Sequence, residues 1–253
     1  MRKIAKDNII VVCTIVLCIM LTLALCVSFS EGGLLSVFNK VESKSQTMWA
    51  IACKGYSDIS MARQSAEMIK SRGGAGYVQS GEEIEIIYAV YKSEEDAKKV
   101  LAGLSDKSLY LKRYDISEGS FKWCKEDIKS AVGEALCYFD VFFDGLYDLS
   151  NKLNESKISV EEAKIEIKVL QAQIEDIKSA FYQAKREKKK PFFKKKTANC
   201  NEEQITQIKL ALVTTLALLD NVDFSKNDAY ATASLRYQLV QGVLCRQALM
   251  NCI

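Results

Sequence analysis

An uninterrupted apolar stretch, Ile9 to Phe29, carries no charge and follows a short basic head containing Arg2, Lys3 and Lys6. It constrains the fold more than any other feature, because it decides which solvent the rest of the chain must face. At about 1.5 Å per residue it makes a helix of about 31 Å, the thickness of a bilayer's hydrocarbon core. A secretory signal core runs to only about 7–15 residues, and no clean small-x-small cleavage site follows this one. A retained single-pass transmembrane helix over 9–29 is therefore expected. Basic flanks stay cytoplasmic, so the head at 1–8 is expected inside and the bulk of the chain outside, at the cell membrane.

Beyond the anchor, about 220 residues remain, enough for one large domain or two small ones. Lysine and arginine number 35 against 32 acidic residues, a net charge of +3, so no global field favours nucleic acid. There is no histidine. That removes Ser-His and Cys-His catalysis, histidine metal sites and the Glu-x-x-His di-iron pattern together. An enzyme without histidine needs a lysine, cysteine or carboxylate constellation, and none stands out. Neither catalysis nor a metal or cofactor is expected.

Of the nine cysteines, Cys13, Cys18 and Cys26 lie in the apolar stretch. Leu23-Ala24-Leu25-Cys26 resembles a bacterial lipobox, with Leu25 where that motif usually has Gly, Ala or Ser. Cys53, Cys124, Cys137, Cys200, Cys245 and Cys252 show no C-x-x-C spacing and sit mostly among apolar residues. They read as scattered buried thiols, with a Cys200–Cys252 bridge left open.

Residues 30–46, with Gly32-Gly33 and a polar run from Glu42, read as a linker. From Met48 the periodicity changes. Trp49, Ile51 and Cys53 alternate as in a strand, and Ser57-Asp58 precedes a helix carrying Ala62, Ala66 and Ile69. A short strand at Ala75–Ser80 and a turn at Gly81-Glu82 lead to a strand with Ile84, Ile86, Tyr88 and Val90. Ser93 and Asp96 cap a second helix whose core stripe reads as Ala97, Val100, Leu101 and Leu104. Leu109 and Leu111 mark a last strand. The order is β-α-β-β-α-β over about 70 residues (47–116), a ferredoxin-like unit with both helices on one sheet face.

Residues 120–253 follow a period near 3.5. Ile128, Val132, Ala135, Phe139, Phe142, Leu146, Leu149 and Leu153 form one seam. Ser159 and Glu162 box the start of the next, which runs from Val160 to Ala184. Ile205 to Val222 and Tyr230 to Leu244 repeat the rhythm. Four seams with loops near 154–158, 188–200 and 223–227 predict an antiparallel four-helix bundle. The run Leu210–Leu219 is too short to span a membrane and reads as bundle core. The whole is α+β: a transmembrane helix, a ferredoxin-like domain and an all-α bundle.

The segment WAIACKGYSDISMARQSAEMIKSRGGAGYV followed by IYAVYKSEEDAKKVL resembles the SPOR (sporulation-related repeat) domain over residues about 46–116. The likeness lies in an aromatic opening strand ending at Gly55-Tyr56, an alanine-bearing helix, a Gly-rich stop, and a strand entering the second helix through Tyr91-Lys92-Ser93-Glu94-Glu95. It implies a bacterial, extracytoplasmic module that binds peptidoglycan glycan strands, in cell division or sporulation. Where the family usually has a glutamine in the first strand, this chain has Ala52. The family's Gly-Pro-Phe turn is Ala89-Val90-Tyr91 here.

Pleat alternation puts Glu85, Tyr110, Lys112 and Tyr114 on the sheet face away from the helices, with Tyr77 or Gln79 beside them. Tyrosines stack on sugar faces while lysine and glutamine donate hydrogen bonds, so Tyr77, Gln79, Tyr110, Lys112 and Tyr114 form the candidate ligand-binding set. The bland alternative is a solvated or partner-covered face. Lys188, Lys189, Lys190, Lys194, Lys195 and Lys196 around Phe192 and Phe193 suit contact with an anionic surface, or else an exposed loop broken by Pro191. Asp140, Asp144 and Asp148 read as a solvated helix face, and Glu82, Glu83 and Glu85 as turn and edge charges. The expected function is a membrane-anchored envelope protein that binds peptidoglycan, with the bundle as scaffold. The alternative is a protein–protein interaction module without glycan binding.

Overall fold

The computed structural model describes residues 40–106, 108–122, 126–186 and 202–252. The apolar stretch at 9–29, the basic head and the Lys188–Lys196 cluster lie outside the described residues, as do Cys124 and Cys200. Among the described residues no helix is long and apolar enough to cross a membrane.

The chain is α+β. A short ribbon pairs β1 (Lys40–Ser43) with β6 (Gly119–Lys122), Lys40 opposite Lys122 and Ser43 opposite Gly119. The end of the expected linker is therefore strand. A polar run forms one when a backbone ladder partner is at hand, and that partner lies about 80 residues further on, out of reach of local pattern reading.

Between the two halves of that ribbon lies a four-stranded antiparallel sheet. Its strands are β2 (Gln46–Tyr56), β3 (Tyr77–Ser80), β4 (Ile84–Tyr91) and β5 (Leu109–Ile116), in the order β3-β4-β2-β5. Helix α1 (Ile59–Lys70) joins β2 to β3, and α2 (Glu94–Ala102) joins β4 to β5. Both helices start where a side chain satisfies their first free N–H groups. Asp58 accepts from Ser60 and Met61 at 2.8 and 2.9 Å. Ser93 accepts from Glu95 and Asp96 at 3.1 and 3.3 Å. Ile51 packs with Ala97, and Ile86 with Ala62, Ala66 and Ile69, so these residues face the helices. Met48, Ala50, Ala52, Ile87, Val90, Tyr114 and Ile116 point the other way, into the main core.

Among the described residues five helices follow: α3 (Glu126–Leu136), α4 (Tyr138–Asn154), α5 (Val160–Arg186), α6 (Glu202–Asp220) and α7 (Asp228–Asn251). The seam expected to be one helix from Ile128 to Leu153 is two. At Cys137 the backbone N–H returns to the Glu134 carbonyl at 3.1 Å, three residues back, and the helix restarts with Val141 bonded to Cys137. In the second helix Tyr138 and Phe143 are buried beside Phe139, Phe142, Leu146, Leu149 and Leu153. At Ser159 the box is reciprocal: its N–H donates to Glu162 Oε2 at 2.8 Å, and its hydroxyl accepts from the Glu162 N–H at 3.2 Å.

Helix α7 departs furthest from its single expected seam. It is buried on several sides through Ala231, Ala233, Leu235, Leu239, Val240, Val243, Leu249 and Met250. It packs on α4 and α6 on one side and on β4 and β5 on the other. A helix apolar all round is one covered all round. The main core accordingly runs unbroken from Ala50 and Ile87 of the sheet to Phe139, Phe142 and Leu239 of the helices. At Gly242, α7 and α4 come so close that an added Cβ would run into the Phe142 ring. In α6 only part of the apolar run is core: Leu212, Leu218 and Leu219 are buried, while Leu210 and Val213 are exposed.

Candidate functional site

The centre of the sheet's second face is made of methyl groups. Ala50 and Ala52 of β2 are both 0% exposed. Across the strand they pair with Lys112 and Tyr110 of β5, and on the other side with Val90 and Ile87 of β4. Because β2 presents so little bulk, side chains from β5 lie across it and reach β4 and β3. The reach to β4 is two strand spacings, about 10 Å, and to β3 three, about 14 Å. Tyr110 donates to Glu85 Oε1 at 2.5 Å. Lys112 donates to Glu85 Oε2 and, at 3.2 Å, to Gln79 Oε1. Tyr114 donates to the same Gln79 oxygen at 2.8 Å, with the Lys112 ammonium 5.4 Å from its ring centre.

Four of the five sequence-expected ligand residues thus converge on one cluster, and Glu85, read as an edge charge, is its hub. Burial pushes the Glu85 carboxyl up, but the bonds from Lys112 and Tyr110 outweigh it and hold the group below the usual carboxylate range. Burial, and then the bond to Glu85, pushes Tyr110 well above an ordinary phenol, and burial does the same to Tyr114. The cluster is an ionised carboxylate held by a lysine and a neutral tyrosine. With Glu85 held low and Tyr110 and Tyr114 held high, what these groups offer is hydrogen bonding.

The fifth residue, Tyr77, is elsewhere. Its ring lies against Tyr237 of α7, centroids 5.1 Å apart. Helix α7 covers this face along its length. Arg236 donates to the Gly73 carbonyl at 2.9 Å, and Gln247 to the Asp115 carbonyl at 3.0 Å. Gly73 has φ of +83°, a turn that glycine makes without strain and that brings its carbonyl to α7. Helix α4 adds further ties. Lys92 pairs with Asp144 at 2.6 Å and Asp140 at 3.7 Å, Gln46 donates to Asp140 at 3.3 Å, and Tyr91 meets Tyr147 edge-on. Two of the three aspartates read as a solvated face therefore hold the sheet. Asp148 pairs with Lys152 on its own helix.

The helix-bearing face has an opening that the sequence pattern did not announce. Val100 and Leu104, read as core of α2, are exposed and line a cleft of about 430 Å³ between α1 and α2. Two tyrosines in its wall, Tyr88 and Tyr91, are pushed up to about 12 by burial.

No family model, curated protein or solved structure matches the chain. Among the described residues no cluster of Cys, Asp and Glu is arranged to hold a metal ion. Cys53 is buried, Cys245 is half-buried with its thiol pushed up by burial, and Cys137 and Cys252 are exposed free thiols.

Proposed function

We propose that this chain is a non-enzymatic, single-pass envelope protein that acts as a protein–protein interaction module, with its sheet and helices forming one extracytoplasmic body. The basic head and the apolar length of 9–29 support the anchor and its orientation. The strand order β3-β4-β2-β5 supports a ferredoxin-like unit of the SPOR kind. The observation that carries the reading is α7 lying over the sheet face through which such a unit would take a glycan. Tyr114 is buried and Tyr77 is engaged by Tyr237, so neither ring is free to stack on a sugar. Exposed Ile165 and Val169 on α5, with Leu210 and Val213 on α6, support contact with a protein instead.

A second reading, peptidoglycan binding in cell division or sporulation, is favoured by the convergence of Gln79, Tyr110, Lys112 and Tyr114 on one cluster, in which Lys112 and Glu85 keep some exposure. Co-sedimentation of the full chain with cell-wall sacculi, before and after amidase removal of stem peptides, separates the two. The interaction reading expects the chain to stay in the supernatant in both cases. It also expects a photo-crosslinker at position 169 or 213 to give a discrete protein adduct in cells, lost with Leu210→Glu. Pelleting that Lys112→Glu abolishes would overturn it in favour of the glycan.

A further inference from the structure

The cleft between α1 and α2 is apolar along most of its length and basic at one end. Ile51, Ala89 and Leu109 are sheet residues in its lining, and Met68 of α1, Val100 of α2 and Leu104 just past the end of α2 are its exposed rim. Where α1 ends, Arg72 and Arg236 enter the lining beside Tyr88 and Tyr91. Arg236 reaches there from α7, spends one N–H on the Gly73 carbonyl, and pairs with no carboxylate among the described residues. A guanidinium carries five N–H donors, so most of its fork is unspent, and such forks match carboxylates in bidentate fashion. Burial of an unpaired cation is costly, and the cost falls when an anion joins it. Asp106 stands in the same lining and accepts from the Ser108 backbone and hydroxyl. Its charge disfavours a ligand with a second anionic group.

We propose that this cleft binds an amphiphilic monocarboxylate, with its apolar body against Ile51, Leu109, Val100 and Leu104 and its carboxylate on Arg236 and Arg72. The volume lies within the range of about 300–1,000 Å³ usual for small-molecule sites. The same chemistry comes from an acyl chain or from the free C-terminus of an apolar peptide. The inference stands apart from the proposed interaction role, since it uses the other face of the sheet.

Isothermal titration of the full chain in detergent-free bilayer discs, with empty discs subtracted, tests it. The probes are decanoate, decanol, a trileucine peptide with a free C-terminus, and the same peptide amidated. At least one acid is expected to bind saturably, with its neutral analogue at least about tenfold weaker. Decanoate alone, or the free peptide alone, identifies the source. Arg72 is exposed, so Arg72→Glu is expected to fold as the parent does and to weaken binding at least about tenfold. Arg236→Gln should abolish binding, and Val100→Asp should weaken whichever acid binds. No saturable binding by either acid, equal binding of acid and neutral analogue, or full affinity in Arg72→Glu would overturn the proposal.

Discussion

Replacing Ala52 by glutamine tests how the sheet's second face is built. Ala52 is 0% exposed on a central strand, flanked by Ile87 on β4 and Tyr110 on β5. The network from Tyr110 and Lys112 to Glu85 crosses over it. A glutamine adds a four-atom polar branch where only a methyl fits. Overpacking a well-filled site costs about 1–3 kcal/mol. An amide buried without partners adds about 1–3 kcal/mol more. The sum is roughly 4 kcal/mol, and for a chain of this size each kcal/mol lowers the melting temperature by about 2–4 °C. Thermal unfolding followed by circular dichroism should show Ala52→Gln melting roughly 10 °C below the parent, with Ala52→Ser close to it. A drop of less than about 2 °C would mean the face has room for a long polar side chain. It would then be open, as in the SPOR pattern with its glutamine, and the covered-face account would fail.

Other outcomes follow from named contacts. Gly242→Ala drives a methyl into the Phe142 ring and should cost about 1–3 kcal/mol, read as a shift in the urea midpoint without a change in slope. Glu85 is held below the usual carboxylate value of 4.5, so its contribution is present above that pH and lost as pH falls through the lowered value. The difference in melting temperature between the parent and Glu85→Gln should shrink below about pH 4.5, and a difference constant down to about pH 3 would refute the assignment. Tyr88 and Tyr91 are pushed up from 10.0 to about 12, so their neutral forms favour the fold. Stability should be fully present below about pH 10 and fall as pH rises toward 12, with tyrosinate absorbance appearing late and Tyr91→Phe flattening the decline.

Local chemistry was well legible. The order of strands and helices in 47–116, the caps at Asp58, Ser93 and Ser159, and the inward faces of Ala62, Ala66, Ile69 and Ala97 follow from period and capping alone. Pleat alternation likewise gives Tyr110, Lys112 and Tyr114 their shared face, but it leaves Tyr77 or Gln79 open beside them, and it is Gln79 that joins the cluster. What was not legible depends on long-range packing. The pairing of Lys40–Ser43 with Gly119–Lys122 joins segments that local patterns treat separately. The break at Cys137 replaces one backbone bond and leaves the apolar rhythm of Phe139 to Leu153 undisturbed. Helix α7 carries apolar residues on several sides, and a search for one seam finds one and stops. Pleat alternation places Glu85 on this face too, but its role as the hub depends on Lys112 and Tyr110, more than two dozen residues away. Ala52, a departure from the resembled family, becomes intelligible only once the β5 side chains are seen crossing it.

The claim on which the functional reading turns is that α7 occupies the sheet face rather than leaving it to a ligand. A double-mutant cycle on Tyr77→Ala and Tyr237→Ala, measured by urea unfolding of the full chain, addresses it directly. Aromatic rings packed as these are, with centroids 5.1 Å apart, should couple by about 0.5–1.5 kcal/mol. Effects that add to within about 0.3 kcal/mol would mean that the two rings do not meet and that the face is free.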